Sequence, residues 1–380
     1  MSPADTRVTL ATLAGDGTFR APDASRIERL DLPADPPLAA LMRLRALLGD
    51  DLDAQIATRL ALPAALGSDP TDHLLPATLS LLSGITGDLA PYGWRIGPGL
   101  GRAWAHASDL RERMLDAARI ALLGYVGPLQ STVLGPATLA ASTFVATGER
   151  TLSDTGAVRD LPLLLAEGLA EHLHALRERV PGAAPHLLVR EDAVAAVVAG
   201  SIPTPSGRRH YDPVPPARVA LLWQSLLEAL RTGAGLDTAQ VTLGVGADAR
   251  LIAEARTAGA RRLALAPRRL PALEGAGRAL WEEIANAHEA GVALELVVDP
   301  RPGGRMEREL GAVLRIWHEL GYAESDAAGF TLIAHTGASH RVHEGRTDPS
   351  TAPAIEDLLD EDALVALLRA APAWAERVAD

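Results

Sequence analysis

The chain has 380 residues, a net charge of −12 and a pI near 5.4, with 48% hydrophobic and 3% aromatic residues. That length and apolar content exclude wholesale disorder, and the acidic balance argues against an electrostatic nucleic-acid footprint. There is no cysteine, and all 36 basic residues are arginine, which excludes disulfides, thiolate metal sites, cysteine nucleophiles and lysine Schiff bases.

The first residues, MSPADTRVTL, show no basic-then-apolar signal pattern, and no apolar run approaches the length of about 18 residues that spans a bilayer. A cytoplasmic chain with no membrane or nucleic-acid partner is the expectation. Eight strand-like segments follow in chain order: Arg7–Leu13, Tyr92–Ile96, Leu129–Gly135, His186–Arg190, Gln240–Gly246, Arg261–Ala266, Val292–Asp299 and Phe330–His335. Most are nearly continuous apolar runs, as parallel strands covered on both faces show.

Helix patterns lie between them. A short one runs from about Leu38 to Leu48; DLRERMLDAARIALLGY begins at Asp109 as a cap; DLPLLLAEGLAEHLHALRERV carries apolar residues at three- and four-residue spacing. ARVALLWQSLLEALRTG and GRALWEEIANAHEAG each end on a glycine. Alternating strand and helix predicts a single (β/α)8 TIM barrel over residues 1–380, a doubly wound sheet being the alternative. Residues 1–70 fit worst and read as a divergent N-terminal extension.

Four local patterns bear on function. Gly244-x-Gly246-x-x-Ala249 superficially meets a dinucleotide fingerprint, but the next strand ends in Ala266 and Pro267 where an acid should hold the ribose. Gly135-Pro136 opens a helix carrying Thr138 and Ser142. It reads either as a tight turn or as an amide pocket for an anion. HTGASHRVHEGR gathers His335, His340, His343 and Glu344 after the last strand; these are weak metal candidates, because their spacing matches no standard ligand set. His172 and His174 lie two apart on a helix, point to different faces and read as structural. Asp299 and Arg301 close the seventh strand-like run, where a barrel presents its mouth.

The stretches GPLQSTVLGPATLAAS, GERTLSDTGAVRDLPLLLAEGLAEHLHALRERVPGA and VAAVVAGSIPTPSG, with DLAPYGWRIGPG before them, resemble the C-terminal barrel of cobalamin-independent methionine synthase. The likeness runs from about Leu62 to Gly207 and is nearest to shorter single-barrel members. The family shares a superfamily with uroporphyrinogen decarboxylase. The resemblance implies zinc-assisted methyl transfer to the sulfur of homocysteine, with the metal held by His and Cys after one strand, an acid after the next and Cys after the last. Here the matching positions read Gly244 and Gly246, then Ala266, then His335, so no zinc or other cofactor is expected. The family's N-terminal Gly-Ser loop is not recognisable in LATLAGDGTFR. Where the family has Asp-Glu-Pro against the substrate's amino group, this chain has Arg190-Glu191-Asp192. Arginine there reverses the charge shown to an ammonium group.

The leading expectation is therefore a degenerate homologue that has lost zinc and homocysteine and binds a small molecule or a partner protein. Its candidate contacts are Thr138, Arg190, Glu191, Asp192, Asp299, Arg301 and His335. The alternatives are a methyltransferase-like enzyme with an altered metal site, and a cofactor-free decarboxylase-like enzyme in which Arg190 and Arg301 hold substrate carboxylates.

Overall fold

The computed structural model describes residues 9–67, 69–301, 306–336 and 348–379. Strands β1 (Ala11–Gly15), β2 (Ile56–Ala61), β5 (Gly127–Leu134), β6 (Ala183–Arg190), β7 (Val241–Gly244), β8 (Arg262–Leu265), β9 (Ala293–Val298) and β10 (Phe330–Ala334) pair in parallel. They close into one eight-stranded barrel with helices between them, a (β/α)8 fold. β3 (Thr86–Ala90) and β4 (Gly93–Gly97) form a separate antiparallel hairpin.

Two expectations change. Tyr92–Ile96 belongs to that hairpin rather than to the barrel, and its alternating burial is what a half-covered antiparallel strand shows. Its place is taken by Ile56–Ala61, a strand with the buried Arg59 in it that is not among the eight segments expected from sequence. The segment read as an N-terminal extension thus supplies two barrel strands, with helix Pro36–Leu48 between them. Asp109 is not a cap either: it sits inside helix Arg102–Ala121, whose N-cap is Gly101.

Strand parity sorts the interior into levels, because alternate residues face the same side. Ala14, Leu188, Ala264 and Ile333 form a small apolar cluster of their own, flanked by Val297. Two residues earlier on four of those strands stand His186, Arg262, Glu295 and Thr331. Glu295 accepts from Arg59 Nη1 and Nη2 (3.0 and 2.6 Å), Arg262 Nε (2.7 Å) and Thr242 Oγ1 (2.9 Å). His186 Nε2 lies 3.0 Å from Arg59 Nη1 and 2.9 Å from Thr242 Oγ1. Burial, reinforced by the Arg59 charge, pushes the His186 pKa down to about 2, so the ring is neutral and Nε2 accepts. An ionic plug therefore closes the barrel beneath its apolar layer.

Two residues later on the same strands the chain reaches the mouth: Asp16, Arg190, Gly246, Ala266, Asp299 and His335. The fold thus sets the level of Arg190, Asp299 and His335 before any side chain is considered.

Candidate functional site at the barrel mouth

A cavity of about 300 Å3 opens at the C-terminal ends of the strands, the end where sites gather in this fold. Asp16, Thr18, His73, Thr138, Arg190, Asp192 and His335 contribute to its lining, and the segment from Pro349 to Leu358 supplies much of the rest. A narrower well of about 50 Å3 continues into the barrel past Asp16, Arg190, Asp192 and His335, down to Leu188, Val297 and Ile333. Gly244, Gly246, Ala264 and Ala266 form its small-residue wall.

Asp16 is the residue that sequence reading missed. It stands between two glycines just past β1, and its Oδ2 hydrogen-bonds His335 Nδ1 while Oδ1 accepts from Thr18 N and Oγ1 (2.9 and 2.8 Å). Burial works against its charge, yet His335, then Arg190 and the Thr18 amide, outweigh it and hold the carboxyl below the ordinary carboxylate range. An ionised carboxylate only accepts, so Nδ1 of His335 carries the proton. The turn needs glycine at position 17: its φ is +85°, and a Cβ there would lie 2.2 Å from Thr132. Gly15-Asp16-Gly17 at the end of the first strand was the available signal.

Arg190 enters the cavity beside this pair. Its Nη2 donates to Asp192 Oδ2 at 2.8 Å, and its Nη1 lies 3.5 Å from both Oδ2 and the carbonyl of Asp16. This corrects the simple charge reversal expected from sequence. The arginine is flanked by two carboxylates, so among the described residues its charge is compensated rather than presented alone.

Glu191 does not line the cavity. It is fully buried behind it, with Oε1 accepting from Ala137 N (3.2 Å) and Trp223 Nε1 (2.9 Å), and Oε2 from Thr138 N (2.8 Å) and Oγ1 (2.7 Å). Burial raises its pKa, and these four donors pull the other way. The anion pocket read at Gly135–Thr138 therefore has an occupant from the chain itself. Thr138 reaches the cavity wall with its hydroxyl already engaged by Glu191 and by the Ala193 amide.

A Cβ on Gly135 would fall 2.3 Å from Cδ of Glu191. Gly135→Ala should therefore destabilise the chain by about 1–3 kcal/mol, as overpacking does. Thermal and urea unfolding would measure it, and an unchanged midpoint would show that Glu191 can retreat.

Asp299 and Arg301 do not line the cavity or the well either. Arg301 donates to both Asp299 oxygens (2.9 and 2.6 Å) and to the Thr336 carbonyl (3.0 Å). The pair ties the end of β9 to the segment after β10. Burial opposes the Asp299 charge, but Arg301 keeps its pKa below the ordinary value. His340, His343 and Glu344 lie outside the described residues, as does the rest of 337–347. Among the described residues no group of three or more His, Asp or Glu side chains is placed to hold a metal. His172 is buried with Nε2 3.3 Å from Ser131 Oγ, and His174 is exposed and 3.5 Å from Glu178, as helix geometry required.

No family model matches the chain, and no curated protein matches its sequence. Among solved structures it is similar to a β-1,4-D-mannanase from Cryptopygus antarcticus, at 11% identity over 94% of this chain and 95% of that one, with a TM-score of 0.38. The old yellow enzyme of Trypanosoma cruzi matches at 11% identity over 91% and 95%, with a TM-score of 0.37. The carboxyl transferase domain of Rhizobium etli pyruvate carboxylase matches at 12% identity over 67% of this chain, with a TM-score of 0.27; this chain spans 42% of its length. Likeness at this level carries no argument about this chain; its architecture rests on the strand pairing above.

Proposed function

We propose that the chain is a metal-free relative of the methionine-synthase barrels that has lost zinc-dependent methyl transfer and binds a small polar molecule at its mouth. One observation carries the reading. Gly244, Gly246, Ala266 and His335, the positions matched to the zinc ligands, all line the same well, and only His335 has a side chain able to ligate a metal. One donor in four does not satisfy a structural or catalytic zinc shell, so these four positions do not fit the ion, and among the described residues no group of three ligating side chains replaces them. What they offer instead is space. The small-residue wall deepens the cavity below Arg190 and His335, and a rim of Asp16, Arg190, Asp192 and His335 supplies polar groups for a polar ligand.

Elemental analysis of protein purified without a histidine tag should find zinc far below one per chain. Methionine formation from homocysteine and methyltetrahydrofolate, with zinc supplied, should stay at the enzyme-free rate, in Arg190→Asp as well as in the parent chain. One tightly held zinc per chain, lost on His335→Ala, would overturn the reading. A thermal-shift screen of small polar metabolites addresses the ligand. A true ligand should raise the melting temperature by a few degrees at saturating concentration, and the shift should disappear when Gly244→Leu fills the well.

A further inference from the structure

We propose that the groove between helices Thr155–Arg179 and Pro216–Ala229 binds a monocarboxylate with an unbranched apolar chain, the chain lying on the groove floor and the carboxylate on Arg218. The site is separate from the barrel mouth and does not rest on the reading above.

The groove encloses about 450 Å3, more than the 300 Å3 of the mouth cavity. Both helices return the chain from the C-terminal end of a barrel strand, so they run in the same direction and their first turns bound the same end of the groove. Two short helices, Pro136–Ser142 and Val194–Ala199, are interposed between the strand ends and the long helices. They supply the floor through Ala137, Ala140 and Val197, and the small side chains at 137 and 140 leave room that larger ones would fill. Leu221, 60% exposed, and Leu222 carry the apolar wall along the second long helix. A hydrocarbon chain laid there removes apolar surface from water on both partners.

The charge around this floor has one sign. In a chain of net charge −12, no Asp or Glu lines the groove, and its charged residues are Arg159 and Arg218. Arg159 Nε donates to Asp160 Oδ1 at 2.8 Å, so that charge is met. Arg218, in the first turn of its helix, has no carboxylate partner among the described residues. The amides opening helix Thr155–Arg179 do not compete for an anion, because Asp154 accepts from Gly156 N and Ala157 N (3.0 Å each). One unmatched guanidinium at the end of an apolar groove suits one negative charge on a hydrocarbon tail. The planar fork can take both carboxylate oxygens. A dianion such as a phosphate monoester would bring a second charge with no further unmatched cation to meet it.

Isothermal titration with sodium octanoate is the test. The parent chain should bind one octanoate, and Kd should tighten about threefold per CH2 from hexanoate to decanoate. Octan-1-ol and octylamine should bind at least tenfold more weakly. Arg218→Gln should weaken octanoate at least tenfold, and Leu221→Glu should do the same by placing a negative charge on the wall. Both side chains are exposed, so both variants should melt with the parent. Exposed Arg278→Gln, and Gly244→Leu in the mouth well, should leave the affinity unchanged. No saturable binding by the parent, indifference to Arg218→Gln, loss of binding in Gly244→Leu, or octan-1-ol binding as well as octanoate overturns the proposal. So does a dimer in sedimentation that Leu221→Glu dissolves, since a second copy would then be what covers the groove. The zinc and thermal-shift outcomes judge the mouth separately.

Discussion

Glu295→Leu should cost about 3–5 kcal/mol of folding stability, the range for breaking a buried ion pair by removing one partner. Glu295 is completely buried, and its carboxylate compensates Arg59, 3% exposed, and Arg262 from above the barrel floor. Deleting it leaves two guanidinium groups uncompensated, Arg59 buried and Arg262 partly exposed, with a neutral histidine beside them. The double variant Arg59→Met/Glu295→Leu should cost clearly less than the two single changes added together, because the second substitution removes the buried stranded charge. Urea unfolding of the four proteins measures the coupling, and simple additivity would show that the plug does not act as a unit.

The same plug sets a pH dependence. Burial raises the Glu295 pKa, but Arg59 and Arg262 more than reverse this and hold it well below the ordinary carboxylate value. A depressed folded-state pKa means that the contribution is complete above the unfolded value of about 4.3 and is lost as pH falls below it. Stability should therefore drop between pH 5 and the acid limit, by less in the double variant. Asp16 and Asp299, also depressed, add to the loss in the same direction.

Glu191→Ala is the second large effect, on the order of 4 kcal/mol from stranded buried donors and a cavity. It removes the acceptor for two amides, a hydroxyl and the Trp223 indole at one stroke. Glu191→Gln should cost less, about 2 kcal/mol, since its amide nitrogen must still oppose one of those donors. The effect should reach the mouth, because helix Pro136–Ser142 carries Thr138 in the cavity wall. Combining Glu191→Ala with Gly135→Ala should cost less than the sum, as the methyl then enters vacated space. Calorimetric unfolding checks all three, and a neutral Glu191→Ala would mean that water replaces the carboxylate.

The sequence by itself determined the architecture and most of its strands. Long Leu- and Val-rich runs such as HLLVR and VALELVVD suit only strands covered on both faces, and helix-period segments between them leave few ways to close. Position at the ends of strand-like runs also placed Arg190 and His335 at the mouth, and the lack of cysteine removed thiolate ligands outright.

Tertiary structure decided the rest. β2 was not among the expected strands; its Arg59 is tolerable inside the barrel because Glu295, 236 residues on, compensates it, and no local pattern shows a partner at that distance. Glu191 and Asp192 are adjacent in sequence, yet one is sealed behind the wall and the other faces the cavity, because the turn after β6 sends consecutive side chains to opposite sides. Asp16 drew no notice in the sequence, and closure between the first and last strands brings it against His335. The pair exists only once the barrel has closed, which is why composition, periodicity and spacing could place its members but not join them.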